Sequence, residues 1–274
     1  MNPTTVSTIP QPSSPPEPVA PLSVSAAGFT SIGYVRRRNE DAFVIDETIG
    51  LFVVSDGMGG LQGGDVASRL VTAALPPLLR QALAQETAAT APGIRALLQE
   101  KLWLLSQAIC QQGARHPMAE GMGATVVLAL WTHGGLHVAH LGDSRAYLYR
   151  EGRLRQLTND HSVVALLLRE GEISRREARV HPARGQLTRY MGMPEPARSD
   201  VRSLEPRSGD RLVLCSDGLF GMISNRAIRR VLEANPSPEA ACRALVDAAD
   251  RAGGCDNTTV IVVHFTRPPA GVSS

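Results

Sequence analysis

The sequence predicts a layered α+β domain of antiparallel strands, and three observations carry that expectation. Short β-branched, apolar runs recur along the chain. Neighbouring runs over 42–55 and 123–150 follow one another without a segment long enough for the crossover helix that parallel strands need. The 274 residues are 43% hydrophobic, enough apolar material for one core, and a length of about 270 is near the upper limit for a single core.

Taken in order, residues 1–26 are rich in Pro, Ser and Thr, a composition that buries too little surface to offset its ordering entropy, so they read as a disordered tail. The folded domain is expected over 27–266, with order beginning near Gly28 and Phe29 and a flexible tail over 267–274. Strands are expected at 42–46 (AFVID), 51–55 (LFVVS), 123–131 (GATVVLALW), 136–141 (LHVAHL), 145–150 (RAYLYR), 211–215 (RLVLC) and 258–264 (TTVIVVH). Helical spacing at Val66, Leu70, Ala74 and Leu75 predicts a helix over 64–83, ended or kinked at Pro76-Pro77. Residues 92–113 form a clearer amphipathic helix, with Pro92 near its start, Gly113 past its end, and Trp103 with Leu102, Leu104 and Leu105 as core. Further helices are expected at 162–170, 174–180, 225–234 and 237–252.

Charge excludes some partners. With 28 basic and 26 acidic residues the net charge is +2, which gives no global field for nucleic acid or an anionic membrane. Cys110, Cys215, Cys242 and Cys255 lack metal-type spacing, the first 22 residues lack the basic and apolar regions of a secretory signal, and no apolar run approaches ~18 residues. A reduced, cytoplasmic, monomeric protein is the expectation.

Four acidic stretches abut strands: Asn39-Glu40-Asp41 before 42–46, Ser55-Asp56-Gly57 after 51–55, Ser216-Asp217-Gly218 after 211–215, and Cys255-Asp256-Asn257 before 258–264. A single Asp-Gly after a strand reads as a hairpin turn. Four acidic stretches at strand ends, two of them Ser-Asp-Gly, also permit convergence at one end of packed sheets, where oxygen-preferring Mg²⁺ or Mn²⁺ would compensate the buried charge. Zinc is disfavoured, because neither H-E-x-x-H nor a Cys/His cluster occurs.

The series RRRNEDAF (36–43), VVSDGMGG (53–60), GMGATVV (121–127), LGDSRAYLYR (141–150), LTNDHS (157–162), HPARGQLTRYMG (181–192), LVLCSDGLFGM (212–222) and CDNTTVIVV (255–263) resembles, in order and spacing, the metal-dependent protein phosphatase (PPM) family, the type 2C serine/threonine phosphatases in their bacterial form. The resemblance covers about residues 28–265. It implies a four-layer αββα sandwich and a protein serine/threonine phosphatase that hydrolyses phosphoserine and phosphothreonine by attack of a metal-bridging water, opposing a bacterial Ser/Thr kinase. Two Mn²⁺ or Mg²⁺ ions are implied, held by Glu40, Asp41, Asp56, Gly57 through its carbonyl, Asp217 and Asp256, with Asp56 bridging. Arg36, four residues before Glu40, matches the family's phosphate-binding arginine; spacing alone selects it over Arg37 and Arg38, each of which is either a solvated charge or the phosphate ligand. Asp143 matches an acid that helps hold a weaker third metal; the alternative is a hairpin-turn aspartate bonded to nearby amides or Arg145.

The sequence departs from the family in two places. Gly221 stands where many relatives have an acid near the third metal, and Met58 stands where eukaryotic relatives have a histidine general acid; a thioether donates no proton. His161 is then either a proton donor or a residue that orders the following segment. Segment 162–192 resembles the family's flap, and its arginines 169, 175, 176, 179, 184 and 189 either contact acidic phosphopeptides or lie on a solvated face balanced by Glu170, Glu172 and Glu177. Cys215 reads as a core residue, since no C-x-x-x-x-x-R loop follows it. The rival function is a weakly active phosphoprotein-binding or regulatory module; a further reading keeps the chemistry and changes the target, to a regulatory phosphoprotein of the anti-anti-sigma type or to small phosphoesters.

Overall fold

The computed structural model describes residues 22–59, 63–85, 90–115, 121–132 and 135–267. Strand β3 (Leu51–Met58) shows how the layers arise. Leu51 and Val53 point to one face and Phe52 and Val54 to the other, and all four are buried, so a run without polar alternation marks a strand covered on both sides.

Two antiparallel sheets result. One has the order β1 (Ser23–Ser31), β11 (Thr258–Thr266), β10 (Arg211–Cys215), β7 (Arg145–Arg150) and β8 (Arg153–Gln156). The other has the order β2 (Asp41–Asp46), β3, β5 (Val126–Thr132), β6 (Gly135–Leu141) and β9 (Asp200–Leu204), with the short β4 (Gly123–Ala124) paired to β3. Their inner faces meet in a core that includes Phe52, Val54, Val127, Leu214, Ile261 and Phe265. Trp131 seals its edge, its ring edge-on to Phe265 at 6.0 Å.

Helices α1 (Gly63–Gln85) and α2 (Ala91–Arg115) cover the outer face of the β3 sheet, where Leu75, Leu79, Leu98 and Leu102 pack on Val53 and Leu128. On the other side α4 (Asp217–Met222), α5 (Asn225–Ala234) and α6 (Pro238–Arg251) cover Val213, Val260 and Val262 with Ile228, Leu232 and Leu245. The architecture is the four-layer αββα sandwich. Each fully buried Leu or Ile contributes about 1.5–3 kcal/mol, so the three apolar layers dominate stability.

The structure differs from the expectations at several elements. Order begins at Ser23, not near residue 28, because Ser23–Ala26 extend the pairing of β1 along Val263–Thr266. The remainder of the expected N-terminal tail and residues 268–274 lie outside the described residues. Helix α1 runs through Pro76 and Pro77; the two backbone donors lost there are offset by Leu75 and Leu79, both fully buried on the sheet. Trp103 and Leu104 are exposed while Leu102 and Leu105 face inward, the helical alternation that a four-residue apolar run conceals. The helix expected at 174–180 reduces to a 3₁₀ turn, Glu177–Arg179. There Glu177 Oε2 accepts from Ser174 N–H at 2.7 Å, closing a capping box, and Pro182 follows too soon for a longer helix. No helix among the described residues is long and apolar enough to cross a membrane.

Candidate active site

Antiparallel pairing of β2 with β3 sets Asp41 directly opposite Asp56, so both side chains leave the same face at one end of the sandwich. Pairing of β10 with β11 brings the second acidic pair to that end, since Asp217 opens α4 immediately after β10 and Asp256 lies just before β11. The two sheets are tied there by Ser216, whose hydroxyl donates to Asp41 Oδ2 at 2.7 Å and accepts from Thr259 N–H at 3.0 Å. Asp143 enters from the loop between β6 and β7, close enough to Asp217 for each to feel the other's charge.

Glu40 and Arg36 arrive on the segment that leads into β2. Asn257 clasps that segment: its side-chain oxygen accepts from Glu40 N–H at 2.8 Å, and its amide donates to the carbonyls of Ile32 and Arg38 at 3.0 and 2.9 Å. Arg36 Nη2 donates to Asp256 Oδ2 at 2.8 Å, which sets this arginine over the carboxylates. Gly57 has no room for a side chain, because a Cβ would lie 1.9 Å from Gly64 O and 2.8 Å from Glu40 O. Its N–H donates to that same Glu40 carbonyl at 3.1 Å. Asp56 is held by reciprocal bonds with Thr125, N–H to Oγ1 at 3.0 Å and N–H of Thr125 to the Asp56 carbonyl at 2.8 Å.

Electrostatics follow from this crowding. Burial pushes Asp41 up to about 7, with the charges of Asp217 and Asp256 adding and the Ser216 hydrogen bond opposing. Asp56 is raised well above the usual carboxylate range by burial and then by Asp41, Asp217, Asp143 and Asp256. Asp143 rises to about 7, through burial and Asp217. Asp217 rises to about 6, through burial and Asp256, with Arg184 and Arg36 pulling the other way. Burial also raises Glu40, while the Asp256 bond raises Arg36. Asp41 Oδ1 is buried with no hydrogen-bond partner. An all-oxygen donor set with an orphaned carboxylate oxygen and mutually repelling charges fits hard divalent cations.

All eight predicted site residues therefore gather at one end of the sandwich. Ser216, Asn257 and Thr125 complete the arrangement and were not anticipated. Each stands inside one of the eight motifs; for Ser216 and Asn257 a hydroxyl or amide beside a carboxylate is the available signal, whereas Thr125 lies between Ala124 and Val126 and carries none. His161 has the ordering role: it stacks on His140 with ring centroids 4.5 Å apart, and its Nδ1 accepts from Gly142 N–H at 3.2 Å. Burial, then His140 and Arg189, push it down to about 4, so it carries no imidazolium proton to donate near neutral pH.

His140, His161 and Asp200 place ligand-type atoms within 4.8 Å of one another. His140 Nε2 donates to the Asn159 carbonyl at 2.8 Å, and the Gly142 bond to Nδ1 leaves the His161 proton on Nε2, 3.4 Å from Asp200 Oδ2.

Comparison with known proteins agrees with this geometry. The family profile for protein phosphatase 2C matches residues 34–248. The chain is 35% identical over 239 residues to the serine/threonine phosphatase stp of Listeria monocytogenes, covering 86% of this chain and 93% of that one. Among solved structures, the serine/threonine phosphatase PstP/Ppp of Mycobacterium tuberculosis superposes with a TM-score of 0.79 at 35% identity, covering 89% of this chain and 99% of that one. The catalytic domain of PstP in complex with two manganese ions matches equally, with a TM-score of 0.79, 34% identity and coverage of 90% and 100%. The chain belongs to the protein phosphatase 2C family. It is a protein serine/threonine phosphatase, a hydrolase of phosphoric monoesters.

Proposed function

We propose that the cluster at the end of the sandwich is a two-metal phosphatase centre, in which Asp41 and the Gly57 carbonyl would hold one ion, Asp217 and Asp256 the other, and Asp56 would serve both. Asp41 Oδ1, buried beside Asp56 without a hydrogen-bond partner, is the observation that carries this reading. Glu40 serves the site through solvent from its partly exposed position. Bound Mn²⁺ or Mg²⁺ would supply an activated water and neutralise charge developing on the phosphoryl group.

Arg36 binds the phosphoryl oxygens. Its guanidinium is half exposed and lies on Asp256, so it can exchange that carboxylate for phosphate with its planar fork. Asp143 and Asp217 would hold a third cation more weakly. With Met58 in place of a histidine and His161 committed to Gly142, solvent supplies the proton for the leaving seryl or threonyl oxygen. The expected setting is the cytoplasm, acting as a monomer on phosphoproteins of a cognate Ser/Thr kinase; all four cysteines are free thiols, in keeping with a reducing compartment.

Turnover of a phosphoserine peptide, measured in EDTA and with added Mn²⁺ or Mg²⁺, tests the reading. Hydrolysis should require the metal and disappear in Asp56→Asn. Metal-independent turnover, or an active Asp56→Asn, would overturn it.

A further inference from the structure

We propose that the groove between the flap and helices α4 and α5 binds acidic residues flanking the phosphorylated serine or threonine, so that this phosphatase selects acidic phosphoprotein segments. The inference rests on the phosphatase reading above and adds the substrate class.

The groove has a volume of about 1150 Å³, and its lining includes Asp143 and Asp217, the carboxylates beside which the scissile phosphate would lie. Along the sequence, flap arginines and glutamates alternate and look balanced. In the fold they separate. Arg169, Arg175, Arg179 and Arg184 line the groove, whereas Glu170, Glu172 and Glu177 do not. Glu177 is occupied by its bond to the Ser174 N–H. Helix α3 (Val163–Glu170) contributes Arg169 from its last turn, and the 3₁₀ turn contributes Arg179.

These four arginines are exposed, and no ion pair within 4 Å joins any of them to a carboxylate among the described residues. Arg145, the remaining arginine of the lining, is different: it is bidentate on Asp160 and stacks on Phe220 at 3.5 Å. It makes a fixed floor and leaves the four flap arginines as the available cations. Gly221 adds to the polarity, since Arg184 Nη2 lies only 3.3 Å from where its Cβ would be. An acidic side chain there would neutralise Arg184; glycine leaves its charge facing the groove.

A channel lined by four exposed arginines matches an extended peptide carrying separate carboxylates. Guanidinium groups would each pair a substrate Asp or Glu, and such exposed pairs weaken with salt.

The experiment compares phosphoserine peptides of one length with acidic, neutral or basic flanks, using the full chain with Mn²⁺ and p-nitrophenyl phosphate as a flank-free substrate. At low salt the acidic peptide should show about tenfold higher kcat/KM than the basic one, mostly through KM, with the ratio falling at about 0.5 M KCl. The double variant Arg175→Glu/Arg179→Glu should abolish or invert that ratio, while Arg175→Lys/Arg179→Lys retains most of it; thermal melts establish that both are folded. Equal kcat/KM for all flanks, a preference for basic flanks, or a preference indifferent to charge reversal would overturn the inference. Fluorescence anisotropy of the labelled peptides on Asp56→Asn reads the same preference without turnover, so failed hydrolysis of p-nitrophenyl phosphate would sink the metal-phosphatase reading separately. Tighter anisotropy-measured binding of a single-stranded oligonucleotide than of the acidic peptide would assign the groove to nucleic acid and overturn the inference as well.

Discussion

Replacing Asp56 by Asn should abolish turnover and, in the absence of metal, make the protein more stable. Asp56 faces Asp41 across the β2–β3 ladder, and burial together with four neighbouring carboxylates raises it well above its ordinary range. A carboxyl whose value is raised on folding contributes stability that is complete below its unfolded value and lost as the pH climbs through its folded value. With Asp41 and Asp143 pushed up to about 7 and Asp217 to about 6, that loss falls between about pH 4 and pH 7. The displacement of Asp41 from 3.8 to about 7 corresponds, at about 1.4 kcal/mol per pH unit, to roughly 4 kcal/mol. Because the carboxylates repel one another, this is a figure for the cluster and not for each member. Asn keeps the shape and removes one charge, so about 2 kcal/mol should return near neutral pH, or roughly 4–8 °C in Tm for a domain of this size. Thermal melts followed by circular dichroism in EDTA at about pH 7.5 should show that gain, and at about pH 4.5 most of it should be gone. If Asp56 is shared by two ions as proposed, added Mn²⁺ should reverse the order, because mass action then favours the chain that retains this carboxylate. A variant that melts at or below the parent in EDTA near neutral pH, or a gap independent of pH, would refute the reasoning.

Other perturbations test single parts of the site. Arg36→Ala should lower kcat/KM on phosphopeptides by about a hundredfold, with only partial recovery in Arg36→Lys, since an ammonium lacks the planar fork; unchanged kinetics would place phosphate binding elsewhere. Gly57→Ala forces a methyl onto the Gly64 and Glu40 carbonyls and should lower the urea midpoint by the equivalent of about 2–3 kcal/mol at constant m; an unmoved midpoint would show the loop free to yield. His161→Asn should leave both limbs of the kcat/KM pH profile in place, whereas loss of the alkaline limb would make His161 the general acid after all. Arg150→Met leaves Asp210 buried without the two guanidinium bonds of 2.7 and 2.5 Å, and should cost about 3–5 kcal/mol in chemical denaturation.

The sequence exposed those parts of the fold in which local pattern and tertiary demand agree. Strands β3, β10 and β11 are buried on both faces, so their unbroken apolar runs were visible. Edge strand β9 (DVRSL) was not, because only backbone pairing with β6 makes it a strand. Strand β1 begins within a Ser-rich stretch and owes its first residues to the partner edge of β11. Helix α4 was concealed because Ser-Asp-Gly reads as a turn, whereas here Ser216 is the N-cap and Asp217 the first helical residue. Flap charge was illegible for a different reason. The alternation of arginine and glutamate says nothing of which side chains a capping box or a groove will claim.

The site's carboxylates were legible individually, yet their cost and the means of holding them belong to the sandwich. Asp41 and Asp56 project from one sheet, Asp217 and Asp256 from the ends of strands in the other, and packed sheets stand about 10 Å apart. Inner-face residues such as Val54, Leu214 and Ile261 keep the two sheets in register immediately behind the acidic residues, and the Ser216–Asp41 bond spans the gap at the rim. Repulsion among the carboxylates acts to push the sheet ends apart, while burial of the inner face acts to keep them together. Divalent cations would remove the repulsion without adding to the core, so metal affinity and folding stability draw on the same few residues. The two Ser-Asp-Gly strands are therefore alike for one reason: each needs an unbroken apolar run to anchor its sheet and a carboxylate at the end of it. The serines differ in use, Ser55 donating to the Thr125 carbonyl within its own sheet and Ser216 reaching across to the other.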